Sequence, residues 1–337
     1  MRIAIVAVEG CLHSAVVGLV DLFWITNQAL RNAPDGGSAG VVFETLVVSA
    51  DAAAVMDAQG RTVQVDGRFD DALGCDAVLI AGMALDTDGS PPRCASVSQA
   101  AAWLRRYHQH GGLVAGACAG AFVLGEAGLL DGRRCTTTWW LHPIFKRRFP
   151  KADAVWGSAL EEHDRVISSG GPLSWIDLAL HVIRRLAGDT VARLAASMAV
   201  TDNQALPQTV YAPRGFINAT SPLLLQAEQT VRQAGPGLTA QALARGLRLS
   251  ERTLHRRLKE LLNETPKAFI TRVRIETACA LLQSPGARVK QVAMQAGYAD
   301  ESSFRRAFAQ VMGLSPSGYV EWLGKRRSCA MLSTDEM

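Results

Sequence analysis

Ser250-Glu251-Arg252-Thr253-Leu254-His255-Arg256-Arg257-Leu258 and Asp300-Glu301-Ser302-Ser303-Phe304-Arg305-Arg306-Ala307-Phe308 are one pattern written twice, fifty positions apart. Each copy opens on a short polar residue, Ser250 or Asp300, able to accept from the free backbone N–H groups of a helix start. An apolar anchor follows four residues on (Leu254, Phe304) and another four later (Leu258, Phe308), which marks one face of a 3.6-period helix and leaves the arginines on the other. A short apolar-periodic stretch precedes each copy, Leu238 to Gly246 and Val289 to Ala296, so both read as helix, turn, helix, with register kept throughout. Pro266 and Pro316 stand eight residues beyond Leu258 and Phe308, where each suits the first turn of a further helix.

Between the copies, Lys267 to Leu282 carries Phe269, Ile270, Val273, Ile275, Ala278 and Leu281 at helical spacing with no internal proline. Sixteen residues of helix span roughly 24 Å, a rod suited to holding two recognition helices about one DNA turn, some 34 Å, apart. Residues 223–324 resemble the AraC family of bacterial transcription regulators, most specifically from Gly297-Tyr298 through Gly313-Leu314-Ser315-Pro316. The resemblance implies an all-α domain with two helix-turn-helix units. It also implies that Arg252, His255 and Arg256 in the first unit and Ser302, Arg305 and Arg306 in the second face base edges. Arginine can clamp guanine O6 and N7 bidentately while serine is short and tolerant, so the first unit should discriminate more. Arg257, Lys259, Lys267, Arg272 and Lys290 suit phosphates. The first turn, Leu247-Arg248-Leu249, departs from the pattern in having no glycine directly before its cap.

Charge divides the same way. Positions 222–337 hold 17 Lys+Arg against 10 Asp+Glu, a net of +7, and the remainder is −3. A polyanion-binding part and a part with another task are expected. At 337 residues the chain should form two domains. No 18-residue uncharged apolar run appears, and Met1-Arg2-Ile3-Ala4-Ile5-Val6 reads as a strand rather than a signal peptide, so a cytoplasmic location and no membrane association are expected. Seven cysteines without a CxxC speak against a disulfide framework or structural zinc; no metal or cofactor is expected.

The first 200 residues alternate apolar runs with helical patterns: a strand over Arg2 to Val8, a helix over Ala15 to Arg31, strands over Val41 to Ala50 and Ala77 to Ala81, a helix over Val97 to His110 and a strand over Gly112 to Ala117. Unalternating apolar strands are covered on both faces, which predicts a mostly parallel, flavodoxin-like sheet inside an α/β sandwich. The assigned bounds are 1–198 for this domain, 199–221 for a linker rich in breakers (Asn203, Pro207, Pro213, Gly215, Asn218), 222–326 for the DNA-binding domain and 327–337 for a disordered tail.

Gly116-Ala117-Cys118-Ala119-Gly120-Ala121-Phe122-Val123-Leu124 places one cysteine among small residues between a strand and a helix. Such an elbow projects the thiol at a helix N-terminus, where a lowered pKa is expected. The segment is similar to the nucleophile elbow of PfpI-type class I glutamine amidotransferase-like proteins. With Leu129 to Arg134, Trp139-Trp140 and Ser168-Ser169-Gly170-Gly171, residues 1–190 resemble the amidotransferase-like sensor domain of GlxA-type AraC-family regulators.

A thiolate nucleophile needs a base and a group that orients it. Where enzymes of that superfamily carry a histidine after the cysteine, this chain has Ala119; Ala15 stands at the family's glutamate and Thr138 at a histidine common in GlxA-like chains. His13, His142, His163 and Glu9 are other candidates for approach in space. Cys118 is therefore read as the floor of an inactive ligand pocket lined by Glu9, Gly82, Met83, Cys118, Ala119, Thr138, Trp139 and Trp140. The family resemblance suggests an amino-acid-like or quaternary ammonium effector stacked on the tryptophans. Effector-controlled, sequence-specific binding of double-stranded DNA by a homodimer is the expected function, with RNA polymerase as a partner if the protein activates. An active Cys118-dependent amidase, deglycase or hydratase fused to a DNA-binding domain, or a thiol redox sensor, is the alternative.

Overall fold

A computed structural model describes residues 1–32, 40–86, 89, 91–202, 205–208, 211, 222–262, 264–284 and 286–322. Asn203, Pro213, Gly215 and Asn218 of the expected linker and all of the expected tail lie outside the described residues. The chain divides into two compact units, Met1–Gln208 and Thr209–Met337.

In the first unit the apolar runs become β1 (Arg2–Val6), β2 (Glu44–Ser49), the short β3 (Val55–Met56), β4 (Thr62–Val63) and β5 (Gly67–Arg68), then β6 (Ala77–Ile80) and β7 (Leu113–Ala117). Beyond these come β8 (Arg134–Cys135), β9 (Asp153–Ala154), β10 (Leu160–His163) and β11 (Val166–Ser169). The main sheet has seven strands in the order β10-β11-β7-β6-β1-β2-β5, with every pairing parallel except β10 with β11. Ile3, Ala4, Ile5 and Val6 are fully buried, as the unalternating run required, because helices cover both faces. These helices are α1 (His13–Arg31), α2 (Ala95–Gln109), α3 (Gly120–Glu126), α4 (His142–Arg148), α5 (Trp175–Ala187) and α6 (Asp189–Met198). Gly18 lets α1 meet α5 closely: a Cβ there would lie 2.4 Å from Trp175 Cη2. The chain runs from β1 to one side of the sheet and returns through β6 to the other, so the loops after β1, β6 and β7 gather at the switch point where such sheets bind ligands.

The second unit is helical: α7 (Pro222–Gln233), α8 (Ala240–Gly246), α9 (Glu251–Leu262), α10 (Pro266–Leu282), α11 (Val289–Gln295) and α12 (Glu301–Met312), with residues 316–322 helical again. Leu254, Leu258 and Leu262 of α9 and Phe304, Phe308 and Met312 of α12 are all buried, the stripe their spacing predicts. The long α10 packs against α7, α8, α9, α11 and α12, and it buries Phe269, Ile270 and Val273 in one half and Ile275, Ala278 and Leu282 in the other. Arg272, expected on a phosphate, is instead 5% exposed. Its guanidinium donates to both carboxylate oxygens of Glu264, at 2.8 and 3.2 Å, and to Glu276 at 2.6 Å. Arg232 reaches the same Glu276 at 3.1 Å and Glu228 at 3.5 Å, which joins α7 to α10. A buried charge needs partners of this kind, and removing one partner of such a group typically costs about 3–5 kcal/mol.

The caps also form as the sequence indicates, with Thr253 N donating to Ser250 Oγ at 3.1 Å and Ser303 N to Asp300 Oδ1 at 2.7 Å. Before the caps the register differs from the expectation. Leu249 N donates to Ala244 O and Arg248 N to Arg245 O, while Tyr298 N donates to Ala293 O and Gly297 N to Met294 O. These are two Schellman closures, offset by 49 positions rather than 50, so the second turn holds one more residue, Ala299. Gly297 takes φ +85° in one closure and Arg248 takes φ +56° in the other. A non-glycine residue in that region is strained by roughly 1–2 kcal/mol, partly offset by glycine's greater unfolded freedom. Arg248→Gly is therefore expected to stabilise the chain by about 0.5–1 kcal/mol in calorimetry of the full protein. Gly297→Ala should destabilise it by more, because a Cβ there would also meet Arg274 Nε at 2.9 Å.

Candidate functional site

The elbow is built by close approach. β7 ends at Ala117, and Cys118 turns the chain with φ +55°. Gly120 opens α3 against the end of β6, where a Cβ would lie 2.7 Å from Ile80 O and 2.9 Å from Ala81 O; at Gly116 a Cβ would meet the Gly120 backbone at 3.0 Å. Small residues are thus required on both sides of the cysteine. Cys118 N donates to Ser169 O at 2.8 Å, so β11 carries the turn.

The loop after β8 covers the thiol. Thr137 Oγ1 donates to Cys118 O at 2.9 Å and Thr138 Oγ1 to Cys118 Sγ at 2.8 Å, and Gly171 N donates to Thr138 Oγ1 at 3.2 Å. Gly82 lies on the other side, where a Cβ would come within 3.3 Å of both Cys118 Cβ and Leu12 Cδ1. Met83 is paired with Cys11 on the loop after β1, and Ala119 is fully buried under the turn. Trp139 and Trp140 are half-buried with their rings edge to face at 4.9 Å. Glu9 is placed differently: it is exposed, and its carboxylate accepts from Met56 N at 3.1 Å.

A lowered pKa at Cys118 was expected from its place before a helix, and the structure reverses this. Burial pushes the thiol up, and this outweighs the Thr138 hydrogen bond and the Ala119 backbone N–H, both of which favour the thiolate. α3 is a single short helix of seven residues, and the covering loop removes the water that would otherwise solvate the anion. Of the histidines, His13 faces Asp57, with Nδ1 3.1 Å from Asp57 Oδ2. Burial would raise the Asp57 carboxyl, but Arg61 N–H, the Arg61 side chain and Gln59 N–H hold it down at about 2. His163 lies exposed on β10. His142 is 1% exposed, and neither ring nitrogen has a hydrogen-bond partner among the described residues. Burial, with Lys146 nearby, lowers its pKa to about 3.

Sequence reasoning missed Gln208, which it placed in the linker. The first unit extends to this residue, and its side chain is tied to the loop over Cys118: Trp139 N donates to Gln208 Oε1 at 2.8 Å, and Gln208 Nε2 donates to Thr137 O at 2.9 Å. Its signal, one of two glutamines (Gln204 and Gln208) among breakers, does not mark it out in the sequence.

In the second unit Arg252, His255, Arg256, Ser302, Arg305 and Arg306 are all exposed, opposite the buried stripes of α9 and α12. Arg256 lies 3.5 Å from Glu260, whereas Arg305 is held by Glu301 Oε1 at 2.8 and 2.6 Å. Arg257, Lys259, Lys267 and Lys290 are exposed as well.

Two outcomes test the geometry of the first unit. In the native protein at pH 7, Cys118 should react with iodoacetamide far more slowly than the half-buried Cys94, followed by peptide mass spectrometry; alkylation at the rate of an exposed thiol would contradict the burial of Cys118. His142 is held neutral in the fold, so only the unfolded chain takes up its proton between the ordinary pKa of 6.5 and about 3. Its contribution is complete above 6.5 and is lost as pH falls through that window, at about 1.4 kcal/mol per pH unit. Denaturation of His142→Leu should show a correspondingly flatter acid limb than the parent.

Comparison with known proteins agrees with both halves. The DJ-1/PfpI family model matches residues 23–185, and a helix-turn-helix domain model matches residues 243–321. The HTH-type transcriptional regulator CdhR of Pseudomonas aeruginosa is 29% identical over 278 residues, 80% of this chain and 80% of its own. The HTH-type transcriptional regulator GlxA of Rhizobium meliloti is 27% identical over 231 residues, 68% of this chain and 71% of its own. A solved AraC family transcriptional regulator from Pseudomonas putida aligns with 59% of this chain and 98% of that chain, at a TM-score of 0.48 and 20% identity. With a DJ-1/PfpI-type sheet around the Cys118 elbow and two capped helix-turn-helix units on α10, the chain belongs to the AraC-type transcriptional regulators that carry a DJ-1/PfpI domain.

Proposed function

We propose that this regulator reads duplex DNA with Arg252, His255 and Arg256 of α9 and Ser302, Arg305 and Arg306 of α12, and that a small molecule in the elbow pocket sets its affinity without being turned over. The observation that carries the DNA half is the repeated sequence of Schellman closure, side-chain cap and half-buried helix, which turns a basic face to solvent twice. Exposed arginines there have the reach and the donor fork for guanine. The exposed Arg257, Lys259, Lys267 and Lys290 suit phosphates and would set the salt slope.

The pocket half rests on the covered, protonated thiol. Thr138 is the side chain that donates to Cys118 Sγ, and a neutral hydroxyl is too weak a base to take the thiol proton. The same burial speaks against a redox-sensing role, which needs a low pKa and access. An effector held among Gly82, Cys118, Thr138, Trp139 and Trp140 is the reading that fits, with an amino-acid-like or quaternary ammonium group against the edge-to-face indoles. It acts on DNA only as far as it binds one state of the protein better than another. A homodimer in the cytoplasm, contacting RNA polymerase where it activates, completes the proposal. Among the described residues no helix is long and apolar enough to cross a membrane.

Mapping the purified protein on its own genome would supply an operator. On that operator, Arg256→Ala should cost roughly 1–3 kcal/mol in a salt-controlled gel shift, and Arg305→Ala less, since Arg305 is already held by Glu301. Unchanged affinity for Arg256→Ala would remove it as a base reader. Cys118→Ser should keep the response to effector; a response that disappears together with measurable turnover would favour the enzyme.

A further inference from the structure

Gln208 is the last residue of the first unit and is 4% exposed. Its Nε2 donates to Ser158 O at 2.6 Å and Thr137 O at 2.9 Å, with Thr136 Oγ1 at 3.5 Å, and its Oε1 accepts from Trp139 N at 2.8 Å. Its backbone N–H donates to Gly157 O at 2.8 Å. Gly170 makes the room, because a Cβ there would lie 1.8 Å from Nε2. Carbonyl acceptors on one side and an N–H donor on the other form the complement of a primary carboxamide. A carboxylate brings no hydrogens for the two carbonyls, and an ammonium brings no acceptor for Trp139 N–H. Either substitute would leave buried polar groups unpaired, and that cost is what makes such a niche selective.

The residues that grip Gln208 are also the ones that cover the elbow. Thr137 and Trp139 flank Thr138, whose hydroxyl bonds Cys118 Sγ, and Thr137 Oγ1 bonds Cys118 O. The covering loop is therefore pinned from two sides, by Cys118 and by the point at which the chain leaves for the DNA-binding unit. We propose that Gln208 is a latch: a carboxamide built into the chain that occupies a primary-amide niche beside the elbow, so that the loop over Cys118 and the exit toward residues 209–337 are held or released together. Its regulatory consequence rests on the reading of the elbow as the effector pocket; the niche and the coupling do not.

The test uses the full chain and needs neither DNA nor effector, so its failure is distinct from failure of the regulator reading. Hydrogen exchange followed by mass spectrometry should show Gln208→Ala exchanging at least roughly ten-fold faster than the parent in peptides covering 136–139, as expected for the loss of one or two net hydrogen bonds. Propionamide should restore protection, and propionate and propylamine should not. Gln208→Glu, nearly isosteric, should behave like the alanine variant, and it carries the comparison if that variant does not fold. In the reverse direction, Thr138→Val should speed exchange in 205–208. Unchanged exchange of the loop in Gln208→Ala, parental protection in Gln208→Glu, no rescue by propionamide or equal rescue by propionate would overturn the niche. Unchanged exchange of 205–208 in Thr138→Val would overturn the coupling.

Discussion

The approach of the α3 start to the carbonyls that end β6 is the constraint from which the first unit follows. No side chain fits at Gly120, so the helix start meets the end of β6 almost in backbone contact; Gly116 lets β7 approach the same helix start, and Cys118 between them turns through a left-handed conformation. The turn places Cys118 at the switch point of the parallel sheet, where the loops after β1 and β6 also end. Everything set around the thiol is a consequence: Gly82 must be small to abut it, and Thr137 and Thr138 can bond its carbonyl oxygen and sulfur because β11 runs beside β7 and carries Ser169 under the turn. In such a site geometry and reactivity part company. The elbow has the shape that exposes a nucleophile in enzymes, yet a loop lies over it and burial outweighs the hydrogen bond that would favour the anion.

In the second unit a comparable role falls to α10, which lends apolar residues to both helix-turn-helix halves and so makes one body of them. Its buried Arg272 ties the helix to Glu264 before it and, through Glu276 and Arg232, to α7. Ion clusters of this depth add little net stability over an apolar core, but they penalise any packing that leaves a charge alone.

Much of this was legible in the residues, and the exceptions have identifiable causes. Period and caps announced α9 and α12 because both signals are local: four-residue spacing of Leu254 and Leu258 or of Phe304 and Phe308, and a capping side chain in place. The offset between the two turns was not legible, since a Schellman closure usually advertises itself by glycine and the first one uses Arg248. Small residues around Cys118 disclosed the elbow, but burial of the thiol comes from a loop some twenty residues later that no local pattern places there. Arg272 looked like one more basic residue in a basic domain, although Glu276 four positions on was a visible partner. Gln208 sat in a stretch whose breakers suggested a tether, and only its partners near 137, 139 and 158 reveal it as part of the first unit.

The extra residue in the second turn has a consequence for how the protein sits on its target. α9 and α12 leave their supporting helices through turns of different length, and they carry different side chains outward, two arginines and a histidine against a serine and two arginines. If both helices read bases as proposed, the two units are not interchangeable, and a duplex that satisfied both would carry two unlike words in a fixed order, which would give a single DNA-binding unit a front and a back along a promoter.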